Sequence, residues 1–192
     1  MRKQKDFKPD KEGAGLLARL YITQKQRRSV YKWSLYAFLL LVLSVLQDVV
    51  LCRVRIFGAT TDLVPCAIIL ICVLEGGEGG AVFALISSLL YVYSGTAPGP
   101  YCMVFLVLFA LGISIFRQAY LQSGFGAAFL CSALCLLAYE GGVYLIGVFL
   151  ELTMPERWLS FLLTTALTLA AVPVLYPILL RTQSIGGQTW KE

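Results

Sequence analysis

From residue 33 onward, long apolar runs alternate with short polar or glycine-rich turns. A helix needs about 20 mainly apolar residues to cross the hydrocarbon core of a bilayer, so these runs predict about six transmembrane helices. The predicted helices cover residues 33–51, 62–74, 79–93, 101–116, 126–150 and 158–180. The fold class is therefore all-α integral membrane protein, with a transmembrane domain at 33–181. The second to fourth helices are short, so we expect polar turns at the interface or burial within the bundle.

The stretch 62–103 predicts a helical hairpin. Two apolar runs flank the hexapeptide Glu-Gly-Gly-Glu-Gly-Gly at 75–80, and glycines of this kind mark a tight reversal. Small residues recur at every fourth position and form one stripe: Gly76, Gly80, Ala84 and Ser88. Such a stripe lets another backbone approach closely. The stripe is thus a candidate for helix packing within the bundle or for docking of a partner protein.

Charge is concentrated at the N-terminus. The 192-residue chain is 58% hydrophobic and 14% charged, yet ten of its 16 basic residues fall in the first 32 positions. This basic tail, 1–32, is expected to contact anionic lipid, with a possible amphipathic helix at 15–32. With six helices, cytoplasmic termini place thirteen basic residues inside and three outside, in keeping with the positive-inside rule. The C-terminal tail, 182–192, is then cytoplasmic as well.

Several kinds of chemistry find no support in the sequence. The chain has no histidine, which removes Ser-His-Asp triads, Cys-His dyads and histidine-ligated zinc. Its six cysteines form no Cys-x-x-Cys pair, and no Lys-Ser/Thr follows the glycines at 76–80 as a phosphate loop would require. We therefore expect no enzymatic activity, no cofactor and no metal.

Four acidic residues within or beside the apolar runs remain to be interpreted. Glu140 is predicted near the middle of the fifth helix, where an ionisable group is costly and is by default a functional candidate. It either serves a function or fixes the bundle by hydrogen bonding, for example to Tyr139 or Tyr144. Glu75 and Glu78 are interpreted as parts of a solvated turn, because no third ligand converges on them. Asp62 is expected to cap the second helix.

The stretch 62–103 resembles the rod shape-determining protein MreD family. Thr61-Asp62-Leu63 matches that family's Pro-Asp-Leu start, with threonine in place of proline, and the glycines at 76–80 match its turn. Ser94-Gly95 and the following Ala-Pro-Gly at 97–99 match its close. One departure is Tyr91, which stands where the family usually carries an aspartate.

The resemblance implies a non-enzymatic scaffold in the bacterial inner membrane that helps to control cell shape. Its implied partners are an MreC-type protein and, through it, a RodA-type wall polymerase and a class B penicillin-binding protein. No nucleic-acid partner is expected. The MreD fold is similar to the six-helix substrate-binding (S) subunits of energy-coupling-factor vitamin transporters. An S subunit is therefore the alternative function. In that case Glu140 would line a vitamin pocket, whereas in a scaffold it would have no ligand to serve.

Overall fold

The computed structural model describes residues 24–53, 59–120 and 124–185, and these residues form six α-helices. The helices are α1 (Gln24–Leu46), α2 (Leu63–Glu75), α3 (Gly77–Tyr93), α4 (Tyr101–Tyr120), α5 (Phe125–Phe149) and α6 (Trp158–Ile185). A π-helical turn, Gln47–Leu51, extends α1, and a 3-10 turn, Pro155–Arg157, precedes α6. No β-strand occurs in the described ranges.

The first and last helices are longer than predicted. α1 begins at Gln24 instead of residue 33, so the described part of the predicted tail continues directly into the first apolar helix. The tails at 1–23 and 186–192, including the first half of the predicted amphipathic helix, lie outside the described residues. α6 runs through Pro173 and Pro177 to Ile185, beyond the predicted end at 180. Both prolines are exposed, so their rings displace no neighbouring helix, and the hydrogen bonds lost with their missing N–H groups are those within α6 itself.

The bundle is built around α2. All residues from Leu63 to Leu74 are buried, with exposed fractions between 0 and 8%. The other five helices all contact α2. At 1.5 Å per residue this helix is only about 20 Å long, shorter than a hydrocarbon core of about 30 Å. Of the two possibilities for the short second helix, the structure shows burial inside the bundle.

The outer surface of the bundle is apolar. Large hydrophobic side chains such as Phe38, Ile115 and Phe149 are more than half exposed. Three helical segments are long and apolar enough to span a membrane: Arg27–Leu51, Phe125–Phe149 and Trp158–Ile185. α2, α3 and α4 are shorter apolar helices. Across the residues that the structure describes, an all-helical fold with an apolar exterior of this kind indicates a membrane protein.

Candidate functional site

A buried polar cluster lies at the N-terminal end of α2. We call its four residues, Gln47, Asp62, Tyr91 and Thr168, the Asp62 cluster. The Gln47 side-chain amide donates to Asp62 Oδ1 at 2.7 Å, and the Tyr91 hydroxyl donates to the same oxygen at 3.4 Å. The Asp62 backbone N–H donates to Thr168 Oγ1 at 3.1 Å. The cluster thus joins the end of α1 to α3 through the Asp62 carboxyl group, and to α6 through the Asp62 backbone N–H.

The π-helical turn at the end of α1 presents Gln47 to the interior. Gln47 is buried, whereas its neighbours Leu46 and Asp48 are exposed. Its side-chain Oε1 accepts a hydrogen bond from the Val64 N–H at 3.0 Å. The expectation that Asp62 caps α2 with its own side chain is wrong, because its carboxyl group makes no capping bond. Gln47 takes that role instead, while the Asp62 carboxyl group binds Gln47 and Tyr91.

A second buried polar cluster lies at the other end of α2. We call Lys32, Tyr36, Glu75 and Gln183 the Glu75 cluster. Lys32 Nζ forms an ion pair with Glu75 Oε2 at 2.5 Å, and the Tyr36 hydroxyl donates to Glu75 Oε1 at 2.8 Å. Gln183 Nε2 donates to the Leu74 carbonyl oxygen at 2.6 Å.

The interpretation of Glu75 as part of a solvated turn is therefore wrong. Its side chain is 5% exposed, and that of Lys32 is 8% exposed. Only Glu78, three residues further on, is exposed as that interpretation requires. A buried carboxylate needs a charged or hydrogen-bonded partner, and α1 supplies both. The prediction failed because Lys32 is 43 residues away in the sequence and was assigned to a cytoplasmic tail.

The two clusters together solve the problem posed by a short helix inside a membrane protein. The first N–H groups and last C=O groups of a helix have no partner within it. In a bilayer core an unsatisfied group of this kind costs several kcal/mol. Here Gln47 accepts from one such N–H, on Val64, and Gln183 donates to one such carbonyl, on Leu74. Side chains from the first and last helices thus hold both ends of α2.

Three residues of the predicted small-residue stripe are buried within the helix bundle. Gly80, Ala84 and Ser88 are all buried in α3. A Cβ atom on Gly80 would stand 3.5 Å from Cys72 Cα, and Cys72 Sγ donates to the Gly80 carbonyl at 3.4 Å. Gly80 therefore packs closely against α2 in this structure. Gly76 lies between the two helices instead, at a φ of 59°, and a Cβ atom there would collide with the Arg117 side chain.

Glu140 lines a pocket at the end of the bundle that holds the turns before α4 and α6. The residue is 7% exposed, and its Oε1 is covered with no hydrogen-bond partner among the described residues. The pocket has a volume of about 760 Å³. Its wall also carries Tyr101, Tyr144, Arg157 and Phe161. We call this cavity the Glu140 pocket.

A separate apolar groove runs along the outside between α1 and α3. Its volume is about 480 Å³, and its α1 side carries three small residues: Ser34, Ala37 and Ser44. Phe83, Ile86 and Leu90 form the α3 side, and buried Val64 and Tyr91 belong to its lining. We call this surface the lateral groove. The groove cannot be predicted from the sequence, because it depends on how two helices are placed side by side.

The described residues thus form a membrane-type helix bundle with a buried central helix, a polar pocket and a lateral groove. No family model, curated protein sequence or solved structure matches this chain. The residues of the two clusters other than Asp62 and Glu75 were not singled out from the sequence as sites. The available signal was the presence of Gln47, Thr168 and Gln183 within or beside long apolar runs, where uncharged polar side chains usually bond to another helix.

Proposed function

We propose that this protein is a non-enzymatic scaffold of the rod-shape cell-wall synthesis machinery in the bacterial inner membrane. In this proposal it binds an MreC-type protein through one transmembrane helix. The RodA-type polymerase and the class B penicillin-binding protein join through that partner. The resemblance of the stretch 62–103 to the MreD family supports the proposal, and the lateral groove is the structural observation that carries it.

The lateral groove has the shape and composition that a transmembrane helix needs. Helices associate in membranes by close van der Waals packing, and small residues at the contact allow their backbones to approach. Ser34, Ala37 and Ser44 recur at three- and seven-residue steps, which places them on one face of α1. Ala37 and Ser34 are exposed in the single chain, so they are available for such a contact. We therefore propose the lateral groove, and not the buried stripe, as the surface that binds the partner.

The proposed orientation has both termini in the cytoplasm. The thirteen-to-three distribution of basic residues supports it. The Glu75 cluster then lies near the cytoplasmic face, and the Glu140 pocket opens on the external side. In a variant whose exposed Cys52 is replaced by serine, a cysteine introduced at Thr96 should react with an impermeant thiol reagent in intact cells. If the cysteine at position 96 is protected in intact cells and labelled only after lysis, the orientation is opposite to the one proposed.

Filling the lateral groove tests the scaffold proposal. Ala37→Leu adds a side chain where the partner helix would approach, and overpacking of this kind costs about 1–3 kcal/mol. Co-purification with the MreC-type protein should fall by about tenfold in apparent affinity. The matched control is Ala138→Leu, an exposed alanine on α5 that lines neither the groove nor the Glu140 pocket.

Two results would remove the proposal. One is wild-type protein that retains no MreC-type protein in mild detergent. The other is an Ala37→Leu variant that retains as much partner as Ala138→Leu. An S subunit predicts a different partner, an ATP-hydrolysing transport module. Co-purification against both candidates therefore separates the two functions in a single experiment.

A further inference from the structure

The floor of the Glu140 pocket carries an incompletely satisfied carboxyl group. Glu140 lines the pocket, and its Oε1 is covered by protein atoms with no donor among the described residues, so a ligand in the pocket reaches this oxygen only when the Glu140 side chain turns toward the cavity. A buried carboxyl group without full hydrogen bonding is costly, and each carboxylate oxygen can accept more than one hydrogen bond. Glu140 lies nine residues before the end of α5, or roughly 13 Å along the helix axis. A ligand that donates to this group must therefore enter deep into the bundle.

The size and lining of the pocket are those typical of sites for small organic molecules. Its volume of about 760 Å³ lies within the range of about 300–1,000 Å³ that is usual for ligand sites. Tyr144 and Phe161 stack with their ring centroids 5.5 Å apart and an interplanar angle of 20°. Tyr101 adds a third aromatic ring to the lining. These rings provide an apolar surface on which an aromatic group can pack.

A basic side chain belongs to the same pocket. Arg157, in the short 3-10 turn before α6, lines it and is itself exposed. Hydroxyl-bearing Thr153, Ser160 and Thr164 complete the polar lining. No group of three His, Cys, Asp or Glu side chains that could hold a metal ion occurs in the part of the chain that was described. The donor that suits Glu140 is therefore an ammonium group, and the acceptor that suits Arg157 is a carboxylate.

We propose that the Glu140 pocket binds a zwitterion with an aromatic body. Its ammonium group donates to Glu140, its carboxylate pairs with Arg157, and its ring packs against Tyr144 and Phe161. This inference goes beyond the scaffold proposal and does not depend on it, because the lateral groove and the Glu140 pocket share no residue.

Three related probes test the assignment on the full-length protein in detergent. Phenylalanine carries both charges, phenethylamine only the ammonium group, and N-acetylphenylalanine only the carboxylate. Equilibrium dialysis should rank their affinities in the order phenylalanine, phenethylamine, N-acetylphenylalanine. Glu140→Gln should weaken phenylalanine binding by about tenfold or more, because a hydrogen bond to a charged group is lost. Glu78→Gln, an exposed glutamate at the start of α3, is the matched control and should bind like wild type.

Arg157→Gln provides an independent arm on an exposed side chain. It should weaken binding of phenylalanine by several-fold and leave binding of phenethylamine unchanged, with Arg53→Gln as the control. The groove variant Ala37→Leu should bind phenylalanine normally, so a failed scaffold and a failed pocket give different results. Wild-type protein that binds phenylalanine no better than N-acetylphenylalanine overturns the proposal. So does an Arg157→Gln variant that binds phenylalanine with undiminished affinity.

Discussion

Replacing Gln47 by leucine tests whether the ends of α2 are held as the structure indicates. Leucine has a similar volume but neither donates to Asp62 nor accepts from the Val64 N–H. A buried donor left without an acceptor costs about 1–3 kcal/mol, and a hydrogen bond to a charged group contributes about 1.5–3 kcal/mol. The extra apolar burial of leucine offsets part of this sum. We expect a loss of about 3 kcal/mol in the free energy of unfolding.

The cysteines of α2 give a direct assay of this loss. Cys66 and Cys72 are fully buried in the central helix, so a thiol-reactive fluorophore labels them only when the bundle opens. Exposed Cys52 supplies the baseline signal at low temperature. For chains of this size about 1 kcal/mol corresponds to a shift in Tm of about 2–4 °C, so Gln47→Leu should lower Tm by roughly 6–12 °C.

The control is the neighbouring residue on the same turn. Asp48 is exposed. Asp48→Asn should therefore change the free energy of unfolding by no more than about 0.5 kcal/mol, as surface substitutions usually do. If Gln47→Leu and Asp48→Asn have the same Tm, the hydrogen bonds of Gln47 to Asp62 and Val64 do not stabilise the bundle. The account of how α2 is held would then have to be abandoned.

Two further predictions concern the other contacts of α2. Lys32→Met should destabilise the protein by about 3 kcal/mol, because it leaves the Glu75 carboxylate buried without its ammonium partner. The double variant Lys32→Met/Glu75→Gln should regain most of that loss. A double variant no more stable than the single one would contradict the pairing. Gly80→Leu should lower the free energy of unfolding by about 1–3 kcal/mol, because it forces α3 away from Cys72. Gly112→Leu should leave stability unchanged, because a Cβ atom there meets nothing within 4 Å. Equal melting temperatures of the two variants would exclude the close approach.

The positions of the helices followed closely from local hydropathy. The predicted starts of the helices at 62, 79, 101, 126 and 158 lie within two residues of the observed ones. This succeeded because each helix must present an apolar surface either to lipid or to the bundle. The ends of α1 and α6 were predicted less well. Polar residues such as Gln24 and Thr182 give no apolar signal there, although they continue the helix into the Glu75 cluster's end of the bundle.

The polar clusters could not be predicted in the same way. The bond between Asp62 and Thr168 joins residues 106 positions apart, and that between Gln183 and Leu74 joins residues 109 apart. The local sequence pattern does not show which polar side chains meet across a bundle, because that depends on how each helix is rotated and which helices are neighbours. Glu140 could be singled out by its depth alone, but its pocket also required the approach of Arg157 from the turn before α6.

The burial of α2 has a consequence for how the protein enters the membrane. A helix of about 20 Å flanked by Asp62 and Glu75 is too short to remain in a bilayer as an isolated span without thinning it. Its polar ends become tolerable only when Gln47, Lys32 and Gln183 reach them, and Gln183 lies at the far end of the last helix. Stable insertion of the second helix is therefore completed only after synthesis of the sixth. For this segment, membrane integration and tertiary folding are one and the same event.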